Sequence, residues 1–355
     1  MQTSDPDIVI IGGGFSGLLI AYLLQKKGVM STILEARSRL GGRIYTLRSN
    51  DAPPIEMGAT WLGKKHHHLL DLLDKLDIDI CEQYMGSKGY YEPMSVTPPQ
   101  LVDLPPNEEP SCRITGGTNN IIKVLADRLE ENQIHLDQAV KTIRKTDTTL
   151  EIQTDSDLIK ADFAISTLPP KLLADSIDCS PSLPDELTDI ASQTHTWMAE
   201  SIKVALTFEE PFWRHSDSSG TIFSNVGPVS EMYDHSTNKH YALKGFMNNT
   251  YQAATRERRK KLVIEQLRRF YGEKADSYGA YRELVWEDEP FSYSHYEQPI
   301  FPHQHNGHPI FQEPFLNNRL LISGSETATE FPGYMDGAVE SAQRTVRQLK
   351  QLLSR

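Results

Sequence analysis

A glycine-rich turn directly behind a short apolar run is the feature that most constrains the fold of this chain. The run Ile8–Ile11 predicts a buried strand, and Gly12, Gly14 and Gly17 after it fit the pattern G-x-G-x-x-G. The first glycine allows a sharp turn, the second lets the backbone approach a phosphate, and the third lets a following helix pack closely. The apolar residues up to position 28 predict that helix, whose free N–H groups and positive dipole end would face an anion.

Glu35 extends this pattern to a nucleotide-binding unit. A second predicted strand, residues 30–34, brings Glu35 to a position about 20 residues after the glycines, where a carboxylate accepts hydrogen bonds from a ribose 2′-hydroxyl. A 2′-phosphate would be repelled there, which disfavours NADP. A tight glycine turn alone also occurs without a ligand. Here strand, helix, second strand and acid agree, and together they predict a dinucleotide site.

Two further segments resemble one known family. Residues 35–43 read E-A-R-S-R-L-G-G-R, which resembles the E-A-R-x-R-x-G-G-R stretch of the flavin-containing amine oxidase superfamily, which includes monoamine and polyamine oxidases. Residues 333–340 read G-Y-M-D-G-A-V-E, nearly the family's G-Y-M-E-G-A-V-E. The resemblance implies FAD as the cofactor. It also implies that the second glycine pair and Arg43 lie against the FAD diphosphate, since a guanidinium fork matches phosphate oxygens.

The resemblance also implies which residues contact FAD. Val140 matches the position whose backbone contacts the adenine, and the helix beginning near Met335 would bring partial positive charge to the pyrimidine side of the flavin. The candidate cofactor-binding residues are Gly12, Gly14, Phe15, Ser16, Gly17, Glu35, Ala36, Arg37, Gly42, Arg43, Gly58, Ala59, Thr60, Trp61, Val140, Trp286, Gly324, Ser325, Glu326, Gly333, Tyr334, Met335 and Ala338.

The implied fold class is α/β, with a Rossmann-type FAD-binding domain interleaved with a smaller α+β substrate domain. The predicted FAD-binding domain is discontinuous and comprises residues 1–84, 112–192 and 289–355, and the substrate domain comprises residues 85–111 and 193–288. A chain of 355 residues is long enough for two such domains, each with its own core.

Local patterns predict several elements. They are a helix over residues 66–76, a loop or short strands over 86–110, a hairpin over 150–165 with its turn at 155–157, a strand over 201–208 and a helix over 335–353. The basic stretch 256–261 opens another helix and is interpreted as a solvated face rather than a nucleic-acid patch.

Three residues match catalytic positions of the family. The resemblance implies that Lys203 is joined through a water to flavin N5, where an ammonium could stabilise negative charge during reoxidation by dioxygen. Tyr296 and Tyr334 match two parallel aromatic walls that steer an amine to the flavin, and facing rings attract an ammonium by cation–π interaction. The alternatives without a functional role are that Lys203 is a solvent-facing strand residue and that the two tyrosines belong to the core.

The segment from Trp286 to Tyr296 also bears on how FAD is attached. It aligns with the monoamine oxidase segment that ends in cysteine and tyrosine, but His295 stands where those enzymes have the cysteine that tethers FAD. We therefore expect non-covalent FAD, with a histidine linkage as the alternative.

The implied function is that of an FAD-dependent amine oxidase. A hydride equivalent would pass from the amine-bearing carbon to flavin N5, giving an imine, and dioxygen would reoxidise the flavin with formation of hydrogen peroxide. Two alternatives stay open: an FAD-dependent amino-acid oxidase or desaturase, and a flavin-binding accessory protein without turnover. The proline-rich segment 86–110 replaces a helical insertion of larger relatives, so the cavity is either open or covered by another subunit, as a homodimer would allow.

Composition bounds the remaining choices. A net charge of −12 and an isoelectric point near 5.5 argue against nucleic-acid binding and favour cationic ligands. Three widely spaced cysteines give neither a disulfide framework nor a zinc site. Adjacent histidines at 66–68 point in different directions on a helix, and His303, His305 and His308 are interpreted as loop residues, so no metal is expected. No apolar run is long enough to span a bilayer, and we expect a soluble cytoplasmic protein.

Overall fold

The computed structural model describes residues 7–50, 52–106, 108–215 and 218–354. Within them the α-helices are α1 (Phe15–Gln25), α2 (His67–Lys75), α3 (Asn119–Ala126), α4 (Pro170–Ser176), α5 (Asp185–Ser192), α6 (Arg256–Tyr271) and α7 (Met335–Leu353). The strands are β1 (Ile8–Ile11), β2 (Thr32–Leu34), β3 (Thr46–Ser49), β4 (Ala52–Glu56), β5 (Trp61–Leu62), β6 (Ile80–Glu82), β7 (Lys88–Glu92), β8 (Gln100–Asp103), β9 (Cys112–Ile114), β10 (Ile134–His135), β11 (Val140–Lys145), β12 (Leu150–Thr154), β13 (Leu158–Ala161), β14 (Phe163–Ser166), β15 (Asp178–Ser180), β16 (Ile202–Phe208), β17 (Ser218–Ser224), β18 (Val229–Asp234), β19 (Tyr241–Met247), β20 (Ala280–Val285) and β21 (Leu320–Ile322).

Short 3-10 turns connect several of these elements. They cover Glu131–Gln133, Asn249–Tyr251, Gly272–Ser277, Trp286–Asp288, Pro309–Gln312 and Ser325–Thr327. None of the helices in the described residues is both long and apolar enough to cross a lipid bilayer.

A five-stranded parallel sheet forms the nucleotide-binding layer, with strand order β10-β2-β1-β14-β21. Its central strands are almost wholly buried because both faces of the sheet are covered. Helices α1 and α7 pack on one face, and α4, α5 and the four-stranded sheet β13-β12-β11-β15 pack on the other. Helices α1 and α7 pack together in the core beside β1, through residues such as Leu18 and Val339. This arrangement confirms the predicted α/β, Rossmann-type fold. The second strand begins at Thr32 rather than at residue 30.

A seven-stranded sheet forms the second layer, with strand order β20-β16-β19-β18-β17-β7-β8. One of its faces packs on α6, and alternate residues of β16, such as Val204 and Leu206, belong to that core. The residues between them point to the opposite face, where Lys203 lies. All seven strands fall within residues 88–103 and 202–285, inside the segments predicted for the substrate domain.

The structure decides between the two alternatives predicted for one segment and corrects the prediction for another. Residues 86–110 contain the hairpin β7–β8, so the short strands and not a continuous loop form there. The predicted hairpin over residues 150–165 ends at Ala161, because the segment Phe163–Ser166, apolar up to Ile165, leaves it and becomes β14 inside the parallel sheet. An unbroken apolar run fits a strand buried on both faces better than a half-exposed hairpin strand.

One residue in the basic start of α6 departs from the predicted solvated face, while residues 256–258 and Lys261 are exposed as predicted. Arg259 is buried rather than solvated, and its guanidinium pairs with Glu283 of β20 at 2.7 Å. The same group donates to the backbone carbonyl of Gln252 at 2.8 Å. This arginine therefore ties α6 to the edge of the seven-stranded sheet.

Neutralising Glu283 should destabilise the fold. The side chains of Arg259 and Glu283 are only 9% and 6% exposed, so Glu283→Gln leaves a buried charge without its partner. We expect the free energy of unfolding to fall by about 3 kcal/mol in urea titrations. Glu265→Gln is the matched control, because its pair with Lys261 is exposed and should matter little. Equal effects of the two substitutions would contradict a role for the buried pair.

Candidate active site

A cavity of about 590 Å³ lies between the parallel sheet and the seven-stranded sheet. It collects most of the residues nominated from the sequence. Those lining it are Gly12, Gly14, Phe15, Ser16, Glu35, Arg37, Gly42, Arg43, Gly58, Ala59, Thr60, Trp61, Lys203, Trp286, Ser325, Gly333, Tyr334, Met335 and Ala338. Ala36 and Val140 instead line a smaller cavity of about 110 Å³ that shares Gly12 and Glu35 with the first.

Two glycine turns meet at the start of α1 and form what we call the glycine cradle, residues 12–14 with 41–42. The Gly41 amide donates to the Gly13 carbonyl at 2.9 Å, and Gly14 and Gly41 form an isolated β-bridge. A Cβ on Gly42 would lie 3.3 Å from the Gly14 Cα, so side chains would crowd this contact. Helix α1 begins at the cradle without a side-chain cap, which leaves its first amides available to an anion.

Gly17 supports the cradle without lining the cavity. A Cβ at this position would lie only 2.0 Å from the Gly12 carbonyl oxygen and 3.3 Å from Ile10. The helix can therefore approach β1 this closely only with glycine at this site. Gly324 likewise lies outside the cavity lining, with a φ of +117° before a short turn.

Glu35 is held at the end of β2 by backbone groups. Its two carboxylate oxygens accept hydrogen bonds from the Gly13 amide at 2.7 Å and from the Arg37 amide at 2.9 Å. Each oxygen keeps a further lone pair for a hydroxyl donor. The side chain is 4% exposed and borders both cavities, which suits a ribose contact.

Arg43 is engaged by a carboxylate that sequence patterns alone did not pair with it. Its guanidinium donates to both oxygens of Glu326, at 2.5 and 2.8 Å, and to the Trp197 carbonyl at 3.3 Å. Burial alone would raise the pKa of Glu326, but the Arg43 charge outweighs it and holds that pKa below its usual range. Glu326 lies outside the cavity lining and acts here as the counter-ion of Arg43.

Lys203 reaches the cavity from β16 as a nearly buried amine. It is 5% exposed and donates a hydrogen bond to the Gly58 carbonyl. Burial lowers the pKa of Lys203 to about 8, and the Glu56 carboxylate opposes this shift. The side chain therefore combines a cavity position with a charge that is lost just above neutral pH.

A second buried lysine, absent from the sequence-based set, lies beside Lys203. Lys244 of β19 is fully buried, donates to the Thr60 hydroxyl at 2.7 Å and lies 4.6 Å from the centre of the Trp61 ring. Burial lowers its pKa well below the usual lysine value, and the charge on Lys203 lowers it further. The sequence does contain a signal that could have identified Lys244, because a lysine in the middle of the apolar strand Tyr241–Met247 is unusual.

The aromatic wall differs from the predicted one. Tyr334, at the start of α7, lines the cavity with Trp197, and their ring centroids are 5.5 Å apart. The imidazole of His303 stacks on Trp197 at 4.1 Å and is 6.0 Å from the Tyr334 ring. We call Trp197, His303 and Tyr334 the aromatic shelf.

Tyr296 is not part of this shelf, so the predicted facing pair of Tyr296 and Tyr334 is corrected. Its hydroxyl donates to the Thr194 carbonyl at 2.9 Å and accepts from the Thr196 amide at 2.8 Å. These bonds hold the backbone just before Trp197. Tyr296 matches the family's aromatic wall by alignment, but in this structure it supports the backbone segment that carries Trp197.

Other nominated groups lie away from the cavity. His295 is exposed and lines neither cavity, and the three cysteines also lie outside both linings. Across the part of the chain that the structure describes, no three His, Cys, Asp or Glu side chains cluster as metal ligands.

Solved structures of known proteins share this architecture. Wild-type putrescine oxidase bound to putrescine superposes with a TM-score of 0.84 at 22% identity, covering 99% of each chain. Cyclohexylamine oxidase from Brevibacterium oxydans gives a TM-score of 0.86 at 17% identity, covering 99% of this chain and 100% of that one. The chain therefore shares its fold with these two oxidases.

The family assignment rests on sequence. The model of the family described as flavin containing amine oxidoreductase matches residues 15–91 and 80–350, and the chain belongs to this family of flavin-dependent oxidoreductases that act on amines. A probable flavin-containing monoamine oxidase A of Dictyostelium discoideum is 25% identical over 98% of each chain. Amine oxidase B of Sus scrofa is 24% identical over 98% of this chain and 86% of its own length. The alignment with the first extends over 454 positions, so residues of that relative have no counterpart in this shorter chain.

Proposed function

We propose that the chain is an FAD-dependent amine oxidase that produces an imine and hydrogen peroxide. The observation that carries the proposal is a single cavity lined by residues of the glycine cradle, by the buried Lys203 and by Trp197 and Tyr334 of the aromatic shelf. The cofactor would supply the two-electron oxidation of the amine-bearing carbon and would be restored by dioxygen. The chain's own residues would bind and orient the cofactor and the amine, and they would exclude water from the cavity.

The cavity residues fit FAD. Two helices, α1 and α7, begin at the cavity without side-chain caps, and a Cβ on Gly42 would crowd the Gly14 Cα at 3.3 Å where the two turns of the cradle meet. We assign the diphosphate to the start of α1, the ribose to Glu35 and the pyrimidine side of the flavin to the start of α7. Val140, in the smaller cavity, would hold the adenine. We further propose that residues 1–84, 112–192 and 289–355 form the FAD domain and that residues 85–111 and 193–288 form the substrate domain.

Attachment of FAD is proposed to be non-covalent. The exposed His295 and the three cysteines all lie outside the cavity linings, so none of them reaches a cofactor placed in the cavity. Denaturation of purified protein should release all of its flavin into the soluble fraction. Flavin that stays with the precipitated chain would contradict the proposal.

The aromatic shelf and Lys203 define the amine end of the cavity. The rings of Trp197 and Tyr334 pack against each other, and the aromatic surface that they present to the cavity would attract an ammonium and orient the neutral amine that forms from it. Lys203 would hold a proton at Nζ near the reacting centre, within a water-poor environment where one donor has a large effect. No carboxylate is assigned as a base, because a neutral amine requires none.

The amino-acid oxidase alternative requires an arginine free to bind a carboxylate. Both arginines in the cavity lining are already committed to acidic side chains: Arg37 donates to Glu289 at 2.9 Å, and Arg43 is paired with Glu326. This pairing favours amines over amino acids.

An anaerobic substrate screen tests the proposal. Purified protein should carry yellow flavin absorbance, and primary amines should bleach it while amino acids do not. Readmission of air should restore the colour and release hydrogen peroxide. Bleaching by amino acids alone would support the alternative enzyme, and no bleaching by any of these compounds would support the accessory protein.

Removing the ring of Trp197 should weaken amine binding. Trp197→Leu is expected to raise KM for amines roughly tenfold while flavin content stays constant, because a cation–π contact of about 1–2 kcal/mol is lost. Tyr296→Phe is the comparison, since its hydroxyl holds backbone outside the cavity. That variant should lose about 1 kcal/mol of stability and keep a nearly unchanged KM. The reverse pattern would restore Tyr296 to the substrate wall.

A further inference from the structure

One acidic side chain in the cavity lining has no role so far. Glu231, on β18, borders the cavity together with Ser230, Trp61 and Phe246. Its carboxylate accepts a hydrogen bond from the Tyr233 hydroxyl at 2.8 Å. Within the described residues, no lysine, arginine or histidine forms an ion pair with it. The cavity therefore contains a carboxylate whose partner cation is not supplied by those residues.

Strand register fixes where Glu231 lies relative to the reacting end. Glu231 pairs with Phe246 on β19, and Phe246 pairs with Lys203 on β16. Directly paired residues point to the same face, so an anion, an aromatic ring and the catalytic lysine form one row across the sheet. Two strand spacings separate the ends of this row, which places the Cα atoms of Glu231 and Lys203 about 10 Å apart.

The surroundings of Glu231 suit an alkylammonium group. The Trp61 ring lies 5.1 Å from the Tyr233 ring and 5.8 Å from the Phe246 ring, and Trp61 and Phe246 line the same cavity as the carboxylate. A carboxylate beside aromatic faces recognises an ammonium by ion pairing and by cation–π attraction together. A substrate with one amine would leave this end of the cavity without its complement.

We propose that Glu231 binds the distal ammonium of a linear diamine, whose other amine is oxidised beside Lys203 and the aromatic shelf. The inference rests on the proposed amine oxidase function and extends it to the substrate class. Glu231 is then a specificity-determining residue that takes no part in the oxidation itself. A net charge of −12 also favours approach of a dication over a monocation.

The test compares putrescine with butylamine, which has the same four-carbon chain but one amine. In the holoenzyme, Glu231→Gln should lower kcat/KM for putrescine roughly hundredfold, mainly through KM, and leave butylamine nearly unchanged. Glu210→Gln, an exposed glutamate after β16, is the matched control and should change neither substrate. An equal loss for both amines in Glu231→Gln would overturn the proposal, because it would indicate a structural role.

A second readout does not depend on turnover. Putrescine binding to the anaerobically reduced holoenzyme, measured by calorimetry, should weaken roughly hundredfold in Glu231→Gln. Glu231→Asp withdraws the carboxylate by one methylene, so the preferred substrate should shift to cadaverine, the diamine with one more carbon. Unchanged binding and unchanged length preference would also overturn the proposal. If no amine of the anaerobic screen bleaches the wild-type flavin, the proposed function fails; if putrescine and butylamine react equally well and both variants behave as wild type, only the diamine inference fails.

Discussion

Replacement of Gly17 by alanine is expected to give a protein that does not retain flavin. The added Cβ would lie 2.0 Å from the Gly12 carbonyl oxygen, 3.2 Å from its carbonyl carbon and 3.3 Å from Ile10. Backbone atoms cannot rotate away as a flexible side chain could, so the start of α1 must move off β1. The phosphate-binding amides would move with it. We also expect a loss of about 3 kcal/mol or more in the free energy of unfolding, at the upper end of overpacking effects.

The measurement is flavin content per chain together with urea unfolding, and Gly63→Ala is the matched control. Gly63 has a negative φ and no atom within 4 Å of a built Cβ, so the same chemical change should be silent there. Retained flavin in Gly17→Ala at wild-type stoichiometry would contradict the assignment of the cradle.

Lys203→Met should slow flavin reoxidation and at the same time stabilise the protein. Loss of a preorganised cation at the reacting centre is expected to reduce the rate of reaction with dioxygen on the order of a hundredfold. FAD should stay bound, since the cradle and α7 are untouched. Rapid mixing of reduced enzyme with oxygen measures the rate, and an unchanged rate would remove Lys203 from the reaction.

The stability effect of the same substitution follows from the lowered pKa. The folded-state pKa of Lys203 is about 8, against an ordinary value of 10.5, because burial disfavours the charged form. Between these two values the unfolded chain binds more protons than the folded one, so stability should rise with pH through this window. Below about pH 8 the folded protein bears the full free-energy cost of the buried charge on Lys203, on the order of 3 kcal/mol.

Lys203→Met should remove that penalty. It should raise the free energy of unfolding at neutral pH and flatten the rise between about pH 8 and 10.5. The Gly58 carbonyl keeps a partner, because the Thr60 hydroxyl also donates to it at 3.1 Å. Lys261→Met, at an exposed position of α6, should leave the pH profile unchanged. A Lys203→Met profile that still rises like that of the wild type would contradict the assignment.

Local sequence patterns were sufficient where contacts are close in sequence. The closing helix runs over residues 335–353 as its apolar spacing predicts, and β1, α1 and the glycine turn follow from fewer than 20 consecutive residues. The strand Phe163–Ser166 was assigned to a hairpin because its true neighbours, β1 and β21, lie far away in sequence. Neither of those pairings leaves a local signal.

The residues of the site also divide into those with a local sequence signal and those without one. Glycines and Glu35 were identified because the fold imposes their spacing on one short segment. The resemblance identified Tyr296 but did not identify Trp197. The link between them is the pair of hydrogen bonds from Tyr296 to residues 194–196, which only the three-dimensional structure shows. Strand register places Lys244 beside Lys203 and brings Glu231 to the cavity, and single-sequence patterns do not determine this register.

A crystal structure of the flavin-loaded protein tests the central claim most directly. We expect the diphosphate at the start of α1 and the isoalloxazine ring against the start of α7, with Lys203 beside the ring and the shelf of Trp197 and Tyr334 facing it. A flavin bound outside this cavity, or a ring that faces neither Lys203 nor the shelf, would contradict the account.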